Sequence, residues 1–159
     1  MIDGPKTALG IDYGTKRIGY AVSDGLGWSA RPLEVYARKD LEQDLAYLAA
    51  LVESQEIVRI VIGIPYRLNG DAGPEAVRAQ GFVDSVRLAL PGIEVSTIDE
   101  ALTTFEANRL MDEHGVKNRE KKKKLRDAYA AAVLLQEDLD LRASARKQLE
   151  FDGRDSEQF

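Results

Sequence analysis

The spacing of apolar residues changes period several times along the chain, and each change marks an element. Thr7–Asp12 and Arg17–Ser23 are short apolar runs of strand length, joined by Tyr13-Gly14-Thr15-Lys16, where Gly14 suits a tight turn. A third short strand is expected over 29–35, set off by Asp24-Gly25-Leu26-Gly27, with Asp24 as a turn former. Connections this short predict an antiparallel meander of three strands. Asp40 then caps a helix whose Leu41, Leu45, Leu48 and Val52 recur at helical spacing. Ile57–Ile64 is the most continuous apolar stretch and reads as a parallel strand buried on both faces. Pro65 ends it, and Asn69-Gly70 and Gly73-Pro74 lead into a helix with Ala79, Phe82 or Val83, Val86 and Leu90 on one face. Ile93–Asp99 is a fifth strand. Thr103 or Thr104 caps a short helix over 105–111; a basic loop follows, and a last helix over 125–140 has Asp127 in its first turn.

The order is β-β-β-α-β-α-β-α-α. Hairpin strands pair antiparallel, and strands separated by helices must pair in parallel through crossovers. One mixed five-stranded sheet in the order 3-2-1-4-5, with helices on both faces, satisfies both conditions and puts strand 1 in the centre. The chain is one α/β domain over 1–149, and 150–159, poor in large apolar side chains, is expected to be a disordered tail.

Composition narrows the chemistry. There is no cysteine and one histidine, His114, so disulfides, thiolate nucleophiles and a histidine-rich zinc centre are excluded. His114 precedes Gly115 at a helix end, where a solvated imidazole is expected and catalysis is not. No signal-length or membrane-length apolar run is visible, which points to a cytoplasmic protein. The net charge of −5 argues weakly against nucleic acid, but its distribution matters more. Between Lys117 and Arg126 seven basic residues, among them Lys121, Lys122, Lys123, Lys124 and Arg126, accompany one acid, Glu120. A solvated surface loop explains such a run; so does a clamp for backbone phosphates.

Three acids stand where elements begin or end. Asp12 closes strand 1, Glu100 follows strand 5, and Asp127 opens the last helix. Open α/β sheets bind ligands at the carboxyl ends of their strands. Oxygen-only donors there suit magnesium or manganese, with two ions expected about 4 Å apart. Each acid also has a plain structural explanation: a turn aspartate at 12, a helix-dipole partner at 127. Glu100 lies two strand spacings, about 10 Å, from Asp12. Its neighbour Asp99 competes for the role, since adjacent strand residues point apart. Lys16 and Arg17, in the first hairpin, and Thr103 and Thr104 are candidate substrate contacts.

Several of these segments together resemble the YqgF/RuvX family, ribonuclease H-like bacterial proteins described as candidate Holliday junction resolvases and pre-16S rRNA nucleases. Leu9-Gly-Ile-Asp-Tyr-Gly-Thr-Lys-Arg-Ile-Gly19 with Ala21-Val-Ser-Asp24 is similar to the family's first hairpin. Val61-Ile-Gly-Ile-Pro65, Asp99-Glu-Ala-Leu-Thr-Thr104 and Asp127-Ala-Tyr-Ala-Ala131 follow in the family's order, and the resemblance covers about residues 7–140. It implies a ribonuclease H-like fold and a metal-dependent nuclease with Asp12, Glu100 and Asp127 as catalytic ligands. The implied substrate is precursor 16S rRNA or, alternatively, a DNA junction, cut by a monomer or a homodimer. Ala101 stands where the family usually has arginine, which bears on substrate preference. Asp12-Tyr-Gly-Thr15 also resembles the phosphate hairpin of actin-like ATPases, but that architecture needs a second copy of the domain. A non-catalytic nucleic-acid-binding module would leave the three acids unexplained.

Overall fold

The structure, a computed structural model, describes residues 6–101 and 103–156. Strands β1 (Ala8–Tyr13), β2 (Arg17–Ser23) and β3 (Ala30–Ala37) form the antiparallel meander. Helix α1 (Leu41–Ser54), strand β4 (Arg59–Ile64), helix α2 (Pro74–Ala89) and strand β5 (Glu94–Asp99) follow, then helices α3 (Thr103–Glu113) and α4 (Arg119–Ser156). The sheet order is β3-β2-β1-β4-β5, with β1–β4 and β4–β5 parallel. This is the ribonuclease H-like architecture the pattern predicts. Among the described residues no helix is long and apolar enough to cross a membrane.

Alternation along the strands sorts side chains between two unequal layers. Leu9 and Ile11, Ile18, Tyr20 and Val22, and Ile60, Ile62 and Ile64 point to one face and pack with Leu48, Phe82 and Val86 of α1 and α2. The residues between them are small: Ala8, Gly10, Gly19, Ala21, Val61 and Gly63 face α4. A Cβ at Gly10 would lie 2.8 Å from the Ala131 carbonyl oxygen, and one at Gly19 would overlap the Asp127 backbone. The alanines of α4 (Ala128, Ala131, Ala132) complete a contact in which helix backbone rests almost directly on sheet backbone.

Several boundaries differ from expectation. β3 runs two residues further than the pattern predicts, to Ala37. In α1, Asp40 caps as expected, accepting from the Gln43 amide at 2.8 Å, but Leu41 is exposed while Asp44 is fully buried. Asp44 is tolerated there because Arg38 Nε (3.2 Å) and the Lys39 amide (2.8 Å) donate to it.

The largest difference is in α4. The expected basic loop is helix from Arg119 onward, so Asp127 sits in the third turn and faces the sheet, rather than satisfying free amides at a helix start. Lysine is a good helix former and Asn118 Oδ1 accepts from the Glu120 amide at 2.8 Å, which favours the early start. At the other end, where a disordered tail was expected from 150, α4 continues to Ser156; residues 157–159 lie outside the described residues.

Candidate active site

β1, β4 and β5 end at the same edge of the sheet, and α4 crosses over that edge. Asp12 faces the α4 side, as Gly10 does two residues earlier. Glu100 follows β5 directly; its amide donates to the Ile64 carbonyl at 3.0 Å, which extends the β4–β5 ladder by one rung. Strand parity puts Glu100 on the same side as Ile98, which packs towards α4. Asp99 faces away, is exposed, and accepts from the Ala101 amide at 3.1 Å in a turn.

Glu100 reaches Asp12 across β4 because β4 has no side chain in the way. A Cβ at Gly63 would stand 2.9 Å from Glu100 Oε2 and 2.8 Å from a Leu134 methyl. The Glu100 and Asp12 carboxyl groups are hydrogen-bonded to each other. Burial pushes Glu100 up to about 10, helped by the bond to Asp12 and by the charges of Asp12, Asp127 and Asp99. Burial likewise raises Asp12, against the lowering effect of its hydrogen bond with Glu100 and with the Asp127 charge adding to the rise. Both shifts run upward, so the pair favours retaining a proton. Two carboxyls this close in a half-buried edge repel each other when both are charged.

Asp127 lines the same cleft, of about 330 Å³, but its Oδ2 accepts from Arg17 Nε at 2.9 Å. Among the described residues no three acids or histidines stand together as a ready metal cage. The Arg17 side chain is half exposed, and an ion pair of that kind contributes about 0.5 kcal/mol. Asp127 is thus held by a weak partner.

Of the remaining candidates, Thr103, Thr104 and Arg126 line the cleft with the three acids. Thr103 is buried as the first residue of α3, and its hydroxyl donates to the Glu100 carbonyl at 2.9 Å. It fixes the Glu100 turn from inside the helix, where a cap had been expected. Thr104 is exposed. Helical phase divides the basic run: Lys122 pairs with Asp112 of α3, while Lys123 and Lys124 line a neighbouring groove with Arg17 over Val35 and Ala37. Lys16 and Lys121 are exposed and line neither the cleft nor this groove. Asp24 is a turn former, accepting from the Trp28 amide at 2.8 Å. His114 lies away from the cleft, its Nδ1 2.8 Å from the Tyr129 hydroxyl.

Three contributors were not found from sequence. Glu75 and Arg78 of α2 form a wall of the cleft. Pro74 after the β4 loop signals a helix start, and its first turn necessarily falls near the strand ends. Arg38 is the third: its Nη1 donates to the carbonyls of Gly14 (3.1 Å) and Thr15 (3.2 Å), and its guanidinium lies 4.5 Å from the Tyr13 ring centre. It ties the β1–β2 turn, which lines the cleft, to the buried Asp44.

Comparison with known proteins agrees with this architecture. A family model described as "RuvX: Holliday junction resolvase" matches residues 6–141. A protein named "Putative pre-16S rRNA nuclease" from Halalkalibacterium halodurans is 42% identical over 134 residues, covering 83% of this chain and 94% of its own. A protein of the same name from Symbiobacterium thermophilum is 44% identical over 136 residues, covering 85% and 92%. Among solved structures, T. thermophilus RuvC in complex with Holliday junction substrate superposes with a TM-score of 0.58 at 18% identity, covering 87% of this chain and 96% of that one. Fowlpox virus resolvase gives 0.53 at 10%, covering 84% and 97%. At these identities the two structures show a shared fold alone, whereas the family match spans the whole sheet and α4 as far as residue 141. The chain belongs to the YqgF/RuvX family.

Proposed function

We propose that this protein is a divalent-metal-dependent nuclease that cuts phosphodiester bonds in the 5′ region of precursor 16S rRNA. The observation that carries the proposal is the Asp12–Glu100 pair: two carboxyls brought together at the carboxyl edge of the sheet, over a glycine, with Asp127 lining the same cleft. A like-charged pair has no structural advantage over a salt bridge, and it is stable without metal only by retaining a proton.

The donor set fits magnesium or manganese, since every candidate ligand is a carboxylate oxygen. Asp12 and Glu100, joined by Asp127 once Arg17 releases it, would hold one or two such ions. When bound, the metal supplies positive charge that favours deprotonated water and offsets charge on the departing oxygen. The protein's own side chains do the rest. To hold a cation Glu100 would have to release its proton to solvent, so loading the site and ionising the acids would be one event. Thr103 keeps the Glu100 backbone in register, and Arg38 keeps the Gly14–Thr15 turn in place beside Asp12. Arg126 and the lysines of the first turns of α4 bring positive charge to the phosphates.

The RNA assignment is supported by the names of the relatives at 42% and 44% identity, and the family model's description favours a four-way DNA junction. One assay tests both: cleavage of a precursor RNA bearing the 16S 5′ region, of duplex DNA and of a four-way junction, with manganese and with chelator. The proposal expects manganese-dependent cleavage, strongest on the RNA. Preference for the junction, with a two-fold dimer in solution to make paired cuts, would assign the alternative substrate. Cleavage indifferent to chelator would overturn the metal mechanism.

A further inference from the structure

Asp12, Glu100, Asp127 and Glu75 place four carboxyl groups around a cleft that a phosphodiester strand has to enter. A polyanion approaches such a surface only where cations flank it. Many guanidinium groups in the molecule are already engaged: Arg17 by Asp127, Arg38 by Asp44, Arg59 and Arg142 by Asp138, and Arg109 by Glu106 and Glu113.

Arg78 and Arg126 differ from these. Both line the cleft and both are exposed, and neither has an ion pair or side-chain hydrogen bond among the described residues. Glu75 stands three residues before Arg78 on the same helix, a spacing at which opposite charges commonly pair, yet no such pair forms. The two arginines also come from opposite sides. Phe82 and Val86 of α2 pack on one face of the sheet, while Ala131 and Leu135 of α4 pack on the other. A strand crossing the carboxyl edge would pass between them, with the acids in the middle.

We propose that Arg78 is a substrate-contacting residue, its guanidinium binding a phosphate on the α2 side of the cut site while Arg126 binds one on the α4 side. This rests on the nuclease reading above. A guanidinium suits the role because its planar fork matches phosphate oxygens and stays charged at every working pH. The contact carries no base information, so it acts alike on any sequence.

The test is binding of a fluorescein-labelled single-stranded RNA, in chelator, across a salt series, by Arg78→Gln, Arg78→Lys and the control Arg31→Gln. Arg31 is an exposed arginine of β3 that does not line the cleft, so its loss changes net charge equally. Arg78→Gln should bind roughly tenfold more weakly at low salt. Its slope of log affinity against log salt should be shallower by about 0.7 on a single strand. Arg78→Lys should recover part of both, and Arg31→Gln should match wild type. In manganese, KM should rise for Arg78→Gln more than kcat falls, since the contact is present before the chemical step. Arg78→Gln indistinguishable from Arg31→Gln in affinity and slope would overturn the assignment. Wild-type protein without manganese-dependent cleavage of either the precursor RNA or the four-way junction would remove the nuclease reading itself, whereas normal cleavage with unchanged Arg78→Gln binding removes only the role of Arg78.

Discussion

The two ends of the sheet handle charge in opposite ways. At the end where β4 and β5 begin, Arg59 pairs with Asp138 at 2.6 Å, Arg142 bonds the same carboxylate at 3.2 Å, and Arg142 reaches Glu94 at 3.1 Å. There each of these charges meets its opposite. At the end where the strands finish, two carboxyls, Asp12 and Glu100, meet without a countercharge between them and both are shifted towards the protonated form. The same helix, α4, serves both ends, supplying Asp138 to one and Asp127 to the other. The matched end fastens the helix to the sheet. That leaves the other end free to hold an arrangement that is unfavourable until a cation arrives, which is how stability and function are divided along one element.

Changing the acids should separate the ends most sharply. Asp12→Asn and Asp127→Asn should reduce manganese-dependent cleavage to background with melting temperatures near wild type; near-normal turnover by either would exclude that acid from the site. Glu100→Gln should cost more activity than Asp99→Asn, because Asp99 faces away into a turn, and the reverse order would move the site to Asp99. Asp138→Ala should do the converse. It strands the buried Arg59 and should destabilise by about 3 kcal/mol in urea unfolding, with kcat per folded molecule unchanged.

Protonation gives a subtler contrast. Glu100 titrates at about 10 in the folded protein against an ordinary 4.5, so the folded state retains a proton that the unfolded chain has lost. The contribution of this pair to metal-free stability is therefore complete below about pH 4.5 and is lost as pH rises towards about 10. Glu100→Gln cannot ionise, and in chelator its stability should fall less over that range; parallel curves for the two proteins would mean that no proton is shared. The smallest effects belong to the basic turns of α4. Replacing Lys121, Lys122, Lys123 and Lys124 with alanine should weaken RNA and DNA binding alike and flatten the salt dependence. Melting should move little, since the Lys122–Asp112 pair is a surface contact.

Much of this could be read before any coordinates. The hairpin-then-crossover order determines the sheet, because connection length decides strand direction and few orders remain. Asp12 was legible as a strand-end carboxylate. Glu100 over Asp99 was open from spacing alone; strand parity turns Glu100 towards Asp12 and Asp99 into a turn. The start of α4 was misread because seven cations in ten residues look like a solvated loop, whereas lysine side chains leave helical backbone undisturbed. Glu75, Arg78 and Arg38 were not legible as site residues, since their roles depend on which turn of a helix meets an edge formed by other segments.

Gly63 gives the site a vulnerability that no inventory of charged residues would reveal. One methyl group there would fall within 3 Å of a Glu100 carboxylate oxygen and of a Leu134 methyl, so the ends of these side chains would have to shift. A relative with alanine at this position could retain every acid, every lysine and the same net charge, and still hold Glu100 away from Asp12. Judged by its motifs such a protein would pass as active. The difference between the two would be a hydrogen atom where a carbon would otherwise be.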